Sequence, residues 1–267
     1  MTANGAIGVF DSGIGGLTVA REIIRQLPEE SIVYFGDTAR VPYGPKSPDT
    51  VCRYSREISG FLLQQNVKAI VIACNTATAH ALAVLREELQ VPVIGVVEPG
   101  ARAAVARGAG SHIGVIGTAG TIRSGAYERA IRAIDPDARV TARACPLFVP
   151  LVEEGWIDHP VTRQVAEAYL GPFIEDHVRA LVLGCTHYPL LKPLLYSVLP
   201  KGVRLIDSAA ETAAELKRVL CSEDIVAAEG SRSAHRFIAS DDPLQFLQLG
   251  QRFLGDTIEA VEVHTFV

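Results

Sequence analysis

"AIVIACNTATA" (69–79) and "ALVLGCTHYPL" (180–190) are two apolar runs that each end at a cysteine and pass at once into hydrogen-bonding residues. A short Val- and Ile-rich run bounded this way predicts a buried strand, and the segment that follows predicts a helix. Outward from these two stretches the same alternation recurs. Strands are expected at 6–10, 31–35, 68–73, 91–97, 112–117, 138–144, 179–184 and 203–207, with amphipathic segments such as "GGLTVAREIIRQL" and "TAHALAVLREEL" between them. Such alternation builds βαβ units with mainly parallel sheets. The fold class is α/β.

The eight strands fall into four and four, and the two groups resemble each other. "IGVFDSGIGGLTV" at 7 aligns with "IGVIGTAGTIRSG" at 113, "VPVIGVVEPGARAA" at 91 aligns with "VRLIDSAAETAAEL" at 203, and Cys74 and Cys185 stand 111 residues apart. Landmarks recurring in order with slightly drifting offsets predict a duplicated α/β unit. The boundary is expected near Glu98 to Ala101. Residues after Asp207 contain more helix and a further pair around "DPLQFLQLGQRFLG" and "TIEAVEVHTFV", so they are expected to rejoin the first half. The resulting domains are 1–98 plus 208–267, and 99–207. "AAEGSRSAHR" (227–236) is the most linker-like piece.

With 267 residues, 48% hydrophobic and 21% charged, the chain has ordinary globular composition. A net charge of -5 supplies no basic field for nucleic acid. No apolar run approaches the roughly 20 residues that cross a bilayer, and the N-terminus lacks the basic and apolar regions of a signal peptide. A cytoplasmic protein acting on a small molecule is expected. The five cysteines (52, 74, 145, 185, 221) include no C-x-x-C pair, so neither a disulfide framework nor a metal site is indicated.

Ligands of open parallel sheets gather beyond the carboxyl ends of strands. Cys74 and Cys185 both sit there. A helix starting after each would offer unpaired N–H groups, which favour anions and lower a thiol pKa. Asn75, Thr76, Thr186 and His187 add donors. "VFDSGIGG" puts Asp11 and Ser12 after the first strand; it is neither a dinucleotide fingerprint nor a P-loop, and its acid would attract an ammonium rather than a phosphate. The loop "DTARVPYGPKS" offers Tyr43 as a phenolic donor, and Thr118 and Thr121 in "GTAGT" suit helix capping. Two thiols across a cleft, helix N-termini for carboxylates and an acid for an amine describe a site where an amino acid is attacked at Cα from both sides. Removing a proton from one face while delivering one to the other inverts the centre without a cofactor.

The strings "GVFDSGIGGLTV", "YFGDTARVPYG", "VIACNTATA", "PLVEEGW", "LVLGCTHYPLL" and "IDSA" resemble bacterial glutamate racemase, from about residue 7 to the "FLG" region. That resemblance implies two α/β domains related by a pseudo-twofold axis, glutamate bound between them, and no cofactor. It also implies that Cys74 and Cys185 are the catalytic acid/bases, one per face, and that Asp11, Ser12, Tyr43, Gly44, Asn75, Thr76, Thr186 and His187 hold or tune the substrate. Glu153 in "LVEEG" matches a position that assists catalysis through polar contacts, although by itself it reads as a helix-surface carboxylate. The family's product, D-glutamate, feeds bacterial peptidoglycan synthesis. A homodimer is compatible with this resemblance, since oligomeric arrangement varies in the family.

Three other readings stay open on the residues alone: an aspartate or hydantoin racemase, a Cys185/His187 hydrolase, and a non-catalytic binder on the same fold. A pyridoxal enzyme is set aside, because none of the five lysines (46, 68, 192, 201, 217) falls where a Schiff base would be needed.

Overall fold

The computed structural model describes residues 4–108, 112–254 and 258–266. The first half runs β1 (Ala6–Asp11), α1 (Leu17–Gln26), β2 (Ile32–Gly36), α2 (Pro48–Gln64), β3 (Val67–Ile72), α3 (Asn75–Glu88), β4 (Val93–Gly95) and α4 (Val97–Gly108). The second half runs β5 (Ile113–Gly117), α5 (Ala119–Ser124), α6 (Ala126–Ile134), β6 (Val140–Ala144), α7 (Phe148–Glu153), α8 (Pro160–Glu175), β7 (Ala180–Gly184), α9 (Lys192–Val198) and β8 (Arg204–Ile206). Then follow α10 (Ser208–Ser222), β9 (His235–Ala239), α11 (Pro243–Leu254) and β10 (Glu262–Val263). All eight expected strands form.

Two sheets result, ordered β10-β9-β2-β1-β3-β4 and β6-β5-β7-β8. Within each half the order is the same: the second strand, then the first, third and fourth. Every pairing is parallel. Both sheets are centred on strands buried along nearly their whole length, "IGVFD" and "VKAIVI" in one, "IGVIG" and "ALVLG" in the other. Near-continuous apolar runs are what a parallel sheet covered on both faces demands. Equal strand order places Cys74, after β3, and Cys185, after β7, at equivalent strand ends.

One expectation about the chain's course needs correction. "AAEGSRSAHR" is not linker throughout, since His235 and Arg236 open β9, which pairs with β2 from Ile32↔His235 to Gly36↔Ala239. The strand begins on two polar residues and contributes only three apolar ones, so its sequence signal is weak. Residues 98–101, where the boundary is expected, lie at the start of α4. The C-terminal return itself forms as expected: β9 and β10 extend the first sheet, and α10 packs against α1 and α4. One apolar cluster joins the halves, running from Ile7, Val9 and Val71 through Leu183 to Leu216 of α10.

Lys68 sits at the amino end of β3, remote from the strand ends that carry the thiols. Its Nζ lies 2.7 Å from Glu30 Oε2, with the two side chains 1% and 2% exposed, and Glu30 Oε1 accepts from Ala227 N–H at 2.8 Å. Removing one partner strands a buried charge, so Lys68→Met should lower unfolding free energy by about 3–5 kcal/mol, and pairing it with Glu30→Leu should restore much of that. Urea unfolding of both variants checks this; a single variant within 1 kcal/mol of wild type would count against it.

Candidate active site

Cys74 and Cys185 line one narrow cleft of about 370 Å³, counting its open mouth, between the carboxyl ends of the two sheets. Ser12, Tyr43, Gly44, Asn75, Thr76, Thr186 and His187 line it too. Asp11 stands just behind, 1% exposed at the end of β1; it accepts from Gly13 N–H at 2.9 Å and from the Thr186 hydroxyl at 3.5 Å. Ser12, Tyr43, Gly44, Cys74, Asn75 and Thr76 therefore follow β1, β2 and β3, joined by Cys185, Thr186 and His187 after β7.

The two thiols differ in setting. Cys74 is the N-cap of α3, and its sulfur accepts from Ala77 N–H at 3.4 Å and contacts Ser12 Oγ at 3.7 Å. The expected lowering of this thiol's pKa is overturned. Full burial, reinforced by the nearby Asp11 carboxylate, pushes it up to about 12, against the smaller opposing pull of the Ala77 and Ser12 hydrogen bonds. Cys185 has no helix starting beside it. Tyr188–Leu191 is a 3-10 turn with Pro189 near its start, and α9 opens only at Lys192. Proline has no N–H to give, which weakens the turn as an anion site.

What Cys185 has instead is a histidine. His187 Nδ1 lies 3.9 Å from Cys185 Sγ, and His187 Nε2 lies 2.9 Å from Glu153 Oε1. Burial alone would lower the imidazole pKa, but hydrogen bonding and charge from Cys185 and Glu153 outweigh it and raise it to about 10. That rise favours the charged form of the ring, which faces sulfur on one side and carboxylate on the other. Its charge would stabilise an anion on Cys185. Asp11 is itself raised above the usual carboxylate range by burial, in spite of the attraction of His187 and the hydrogen bonds it accepts.

The remaining donors are fixed by their own partners. Asn75 Oδ1 accepts from Tyr127 Oη at 2.7 Å, which leaves its amide N–H groups for the cleft. Thr76 Oγ1 is 2.8 Å from Thr118 Oγ1 and 3.3 Å from Thr121 Oγ1, so Thr118 both caps α5 and lines the cleft. Tyr43 is not the free phenolic donor that its loop suggested. Its hydroxyl donates to Asp37, a fully buried carboxylate that also accepts from Arg40 and Ser240, and burial raises the phenol pKa strongly. Tyr43 and Gly44 thus form a wall pinned from behind. Val41, Pro42 and Val149 complete the lining; as apolar loop and helix residues they carried no chemical signal in the sequence.

A protein-family model described as Asp/Glu/Hydantoin racemase matches residues 7–216. A glutamate racemase of Geobacter metallireducens is 53% identical over 250 residues, covering 94% of this chain and 93% of its own. This chain belongs to the glutamate racemase family. Among solved members, a glutamate racemase isoform from Bacillus anthracis matches with a TM-score of 0.93 at 44% identity, covering 99% of this chain and 98% of that one. The glutamate racemase from Francisella tularensis, solved in complex with D-glutamate, matches with a TM-score of 0.92 at 38% identity over 98% of each chain. Glutamate racemases of this kind are two-domain α/β enzymes, and this chain has that fold. Among the described residues of this family member no helix is long and apolar enough to cross a membrane, and all five cysteines are free thiols.

The Glu153 contact makes a measurable prediction for a racemase. Glu153→Gln removes a charged hydrogen bond from His187, which should cost roughly 10- to 100-fold in kcat. Because Glu153 helps to raise the imidazole pKa, its loss lowers that pKa, and the alkaline fall in activity should move to lower pH. A pH profile of kcat for both proteins checks the sign; an unmoved alkaline limb would contradict it.

Proposed function

We propose that this chain interconverts L- and D-glutamate without a cofactor, with Cys74 and Cys185 as acid/bases on opposite faces of Cα. The observation that supports this most directly is the shared cleft: two thiols at equivalent strand ends of a repeated fold line one small cavity. As one thiolate takes the α-proton, the C–H electron pair passes into the substrate carboxylate, and the opposite thiol gives its proton to Cα. The sulfurs thereby exchange protonation states. The reverse reaction starts from the exchanged state.

The asymmetry of the two sulfurs fits this scheme. Cys74, with its pKa near 12, holds its proton and is set as the acid, while the His187 imidazolium, backed by Glu153, is placed to support a Cys185 thiolate. We assign Asp11 to the substrate ammonium, whose charge would offset the burial that now holds the carboxyl pKa up. Ser12, Gly44, Asn75, Thr76 and Thr186 are assigned to the carboxylates. General acid–base transfer supplies roughly 10²–10⁴-fold, too little for an unactivated Cα–H. The first N–H groups of α3 and the Asn75 amide therefore have to stabilise developing charge on the carboxylate, as oxyanion-hole donors do. Lysine placement also favours this reading over a Schiff-base route: Lys68 is ion-paired at the far end of β3 and Lys192 is held 2.8 Å from Asp207.

On the same reading, residues 1–98 with 208–267 and residues 99–207 are the two domains, and the enzyme supplies D-glutamate for peptidoglycan in the bacterial cytoplasm. The test is to incubate dialysed protein with L-glutamate in deuterated water, adding no cofactor. Optical rotation should decay to zero as deuterium enters Cα. Unchanged rotation with glutamate, or faster decay with aspartate, would overturn the substrate assignment.

A further inference from the structure

A second recess, of about 610 Å³ counting its open mouth, lies outside the cleft where the loop after β2 and helix α3 meet α5 and α6. Lys46, His80, Arg123 and Arg129 form its polar walls together with Ser124, and no carboxylate lines it. The Ser124 hydroxyl is spent on the Thr121 carbonyl. Arg129 Nη1 donates to the Ser124 carbonyl at 2.6 Å, and Lys46 Nζ lies 6.0 Å above the Tyr54 ring. Among the described residues none of the three cations has an ion-pair partner. On neighbouring α3 and α4 the arginines are neutralised, Arg86 by Glu98 and Arg102 by Glu215. Three positive charges without an ion pair converge on one concavity in a chain of net charge -5, with the Glu128 carboxylate beside Arg129 but outside the lining, and such a concavity favours anions.

The type of anion follows from the donors. Two guanidinium forks and an ammonium suit a compact oxyanion that can take paired N–H bonds on several oxygens. His80, half-buried between them, donates to the Gly120 backbone; burial and then Arg123 hold its pKa down. The charged groups around it are Arg123, Lys46 and Arg129, and the Cys52 thiol donates to its carbonyl at 3.0 Å. An anion that neutralised Arg123 would let the ring take up a proton and add a donor.

We propose that this recess binds a phosphate-type dianion, either phosphate or a phosphomonoester, between Lys46, Arg123 and Arg129 with His80 at its side. Placement gives the site a consequence. Lys46 lies two residues beyond Gly44, and Arg123 belongs to α5, capped by Thr118; Gly44 and Thr118 both line the catalytic cleft. An occupant would tie together the two walls of that cleft. This inference is independent of the glutamate assignment.

The test uses the whole chain labelled with ¹³C-histidine, the His80 resonance being identified by its loss in His80→Gln. Inorganic phosphate is titrated in at ionic strength held constant with sodium chloride. A saturable His80 shift and an upward move of its titration midpoint are expected. Arg123→Gln or Arg129→Gln should each weaken binding about tenfold or more, as loss of a charged hydrogen bond does. Arg132→Gln, one turn farther along α6 and outside the recess, should bind as wild type does. Phenyl phosphate in place of phosphate decides between the free ion and the ester. An unsaturating shift matched by chloride, equal binding by the Arg123 and Arg129 variants, or saturation by glutamate but not phosphate would overturn the proposal.

Discussion

Replacing either Cys74 or Cys185 with serine is expected to reduce racemisation by roughly 10³-fold or more, with the fold intact. Proton transfer by a matched group is worth roughly 10²–10⁴-fold, and a serine hydroxyl ionises far less readily than a thiol. On the proposed scheme the two sulfurs act as a pair, one taking the proton and one giving it, so the double variant should be little worse than either single one. Cys145 is the control. It is buried near the cleft and its thiol is pushed up to about 12, chiefly by burial, but it does not line the cavity. Cys145→Ser should leave turnover within a few-fold of wild type. Rotation assays and circular dichroism on the four variants check these expectations; residual activity above a tenth of wild type in the Cys74 or the Cys185 variant would count against the scheme.

Gly15→Ala is expected to be nearly as damaging although no chemistry passes through residue 15. A Cβ at that position would run into Thr186 Oγ1 and stand 2.5 Å from His187 Nδ1. The neighbours cannot simply swing away: His187 is held by Glu153 behind, and Phe253 packs edge-on against its ring with centroids 5.6 Å apart. Displacing a catalytic group by about 1 Å can cost on the order of 10²-fold, so kcat/KM should fall by about that factor. Gly171→Ala, where the added Cβ meets nothing within 4 Å, is the matched control and should be neutral in turnover. If Gly15→Ala keeps wild-type kcat/KM, the rigidity ascribed to the Thr186–His187 wall is wrong.

The parts of the fold that were legible in the sequence are those with strong periodicity. The runs ending at Asp11, Cys74, Gly117 and Cys185 are apolar along their whole length, and burial on both faces of a parallel sheet produces that pattern. The expected recurrence of landmarks corresponds to an identical strand order in the two halves. β9 is not legible in the sequence because pairing with β2, rather than its own "HRFIA" composition, makes it a strand. At the cleft, the convergence of residues from both halves was legible because strand ends gather in parallel sheets. Their electrostatics were not. A helix N-terminus at Cys74 argued for a lowered pKa, yet desolvation and Asp11 win, and neither is visible along the chain. Tyr43 looked like a free donor until Asp37, six residues away, took its hydroxyl. Glu153 by itself read as a surface carboxylate, and only folding brings it to 2.9 Å from His187.

The central claim, two different bases on opposite faces of one carbon, is tested most directly by where solvent hydrogen first appears. Protiated L-glutamate is mixed with enzyme in deuterated water, and substrate and product are separated well before equilibrium. The account predicts deuterium at Cα of the D-glutamate from the earliest turnovers, while unreacted L-glutamate stays protiated. Product that retains the original proton, or substrate that gains deuterium as fast as product does, would mean a single base serves both faces and would contradict it.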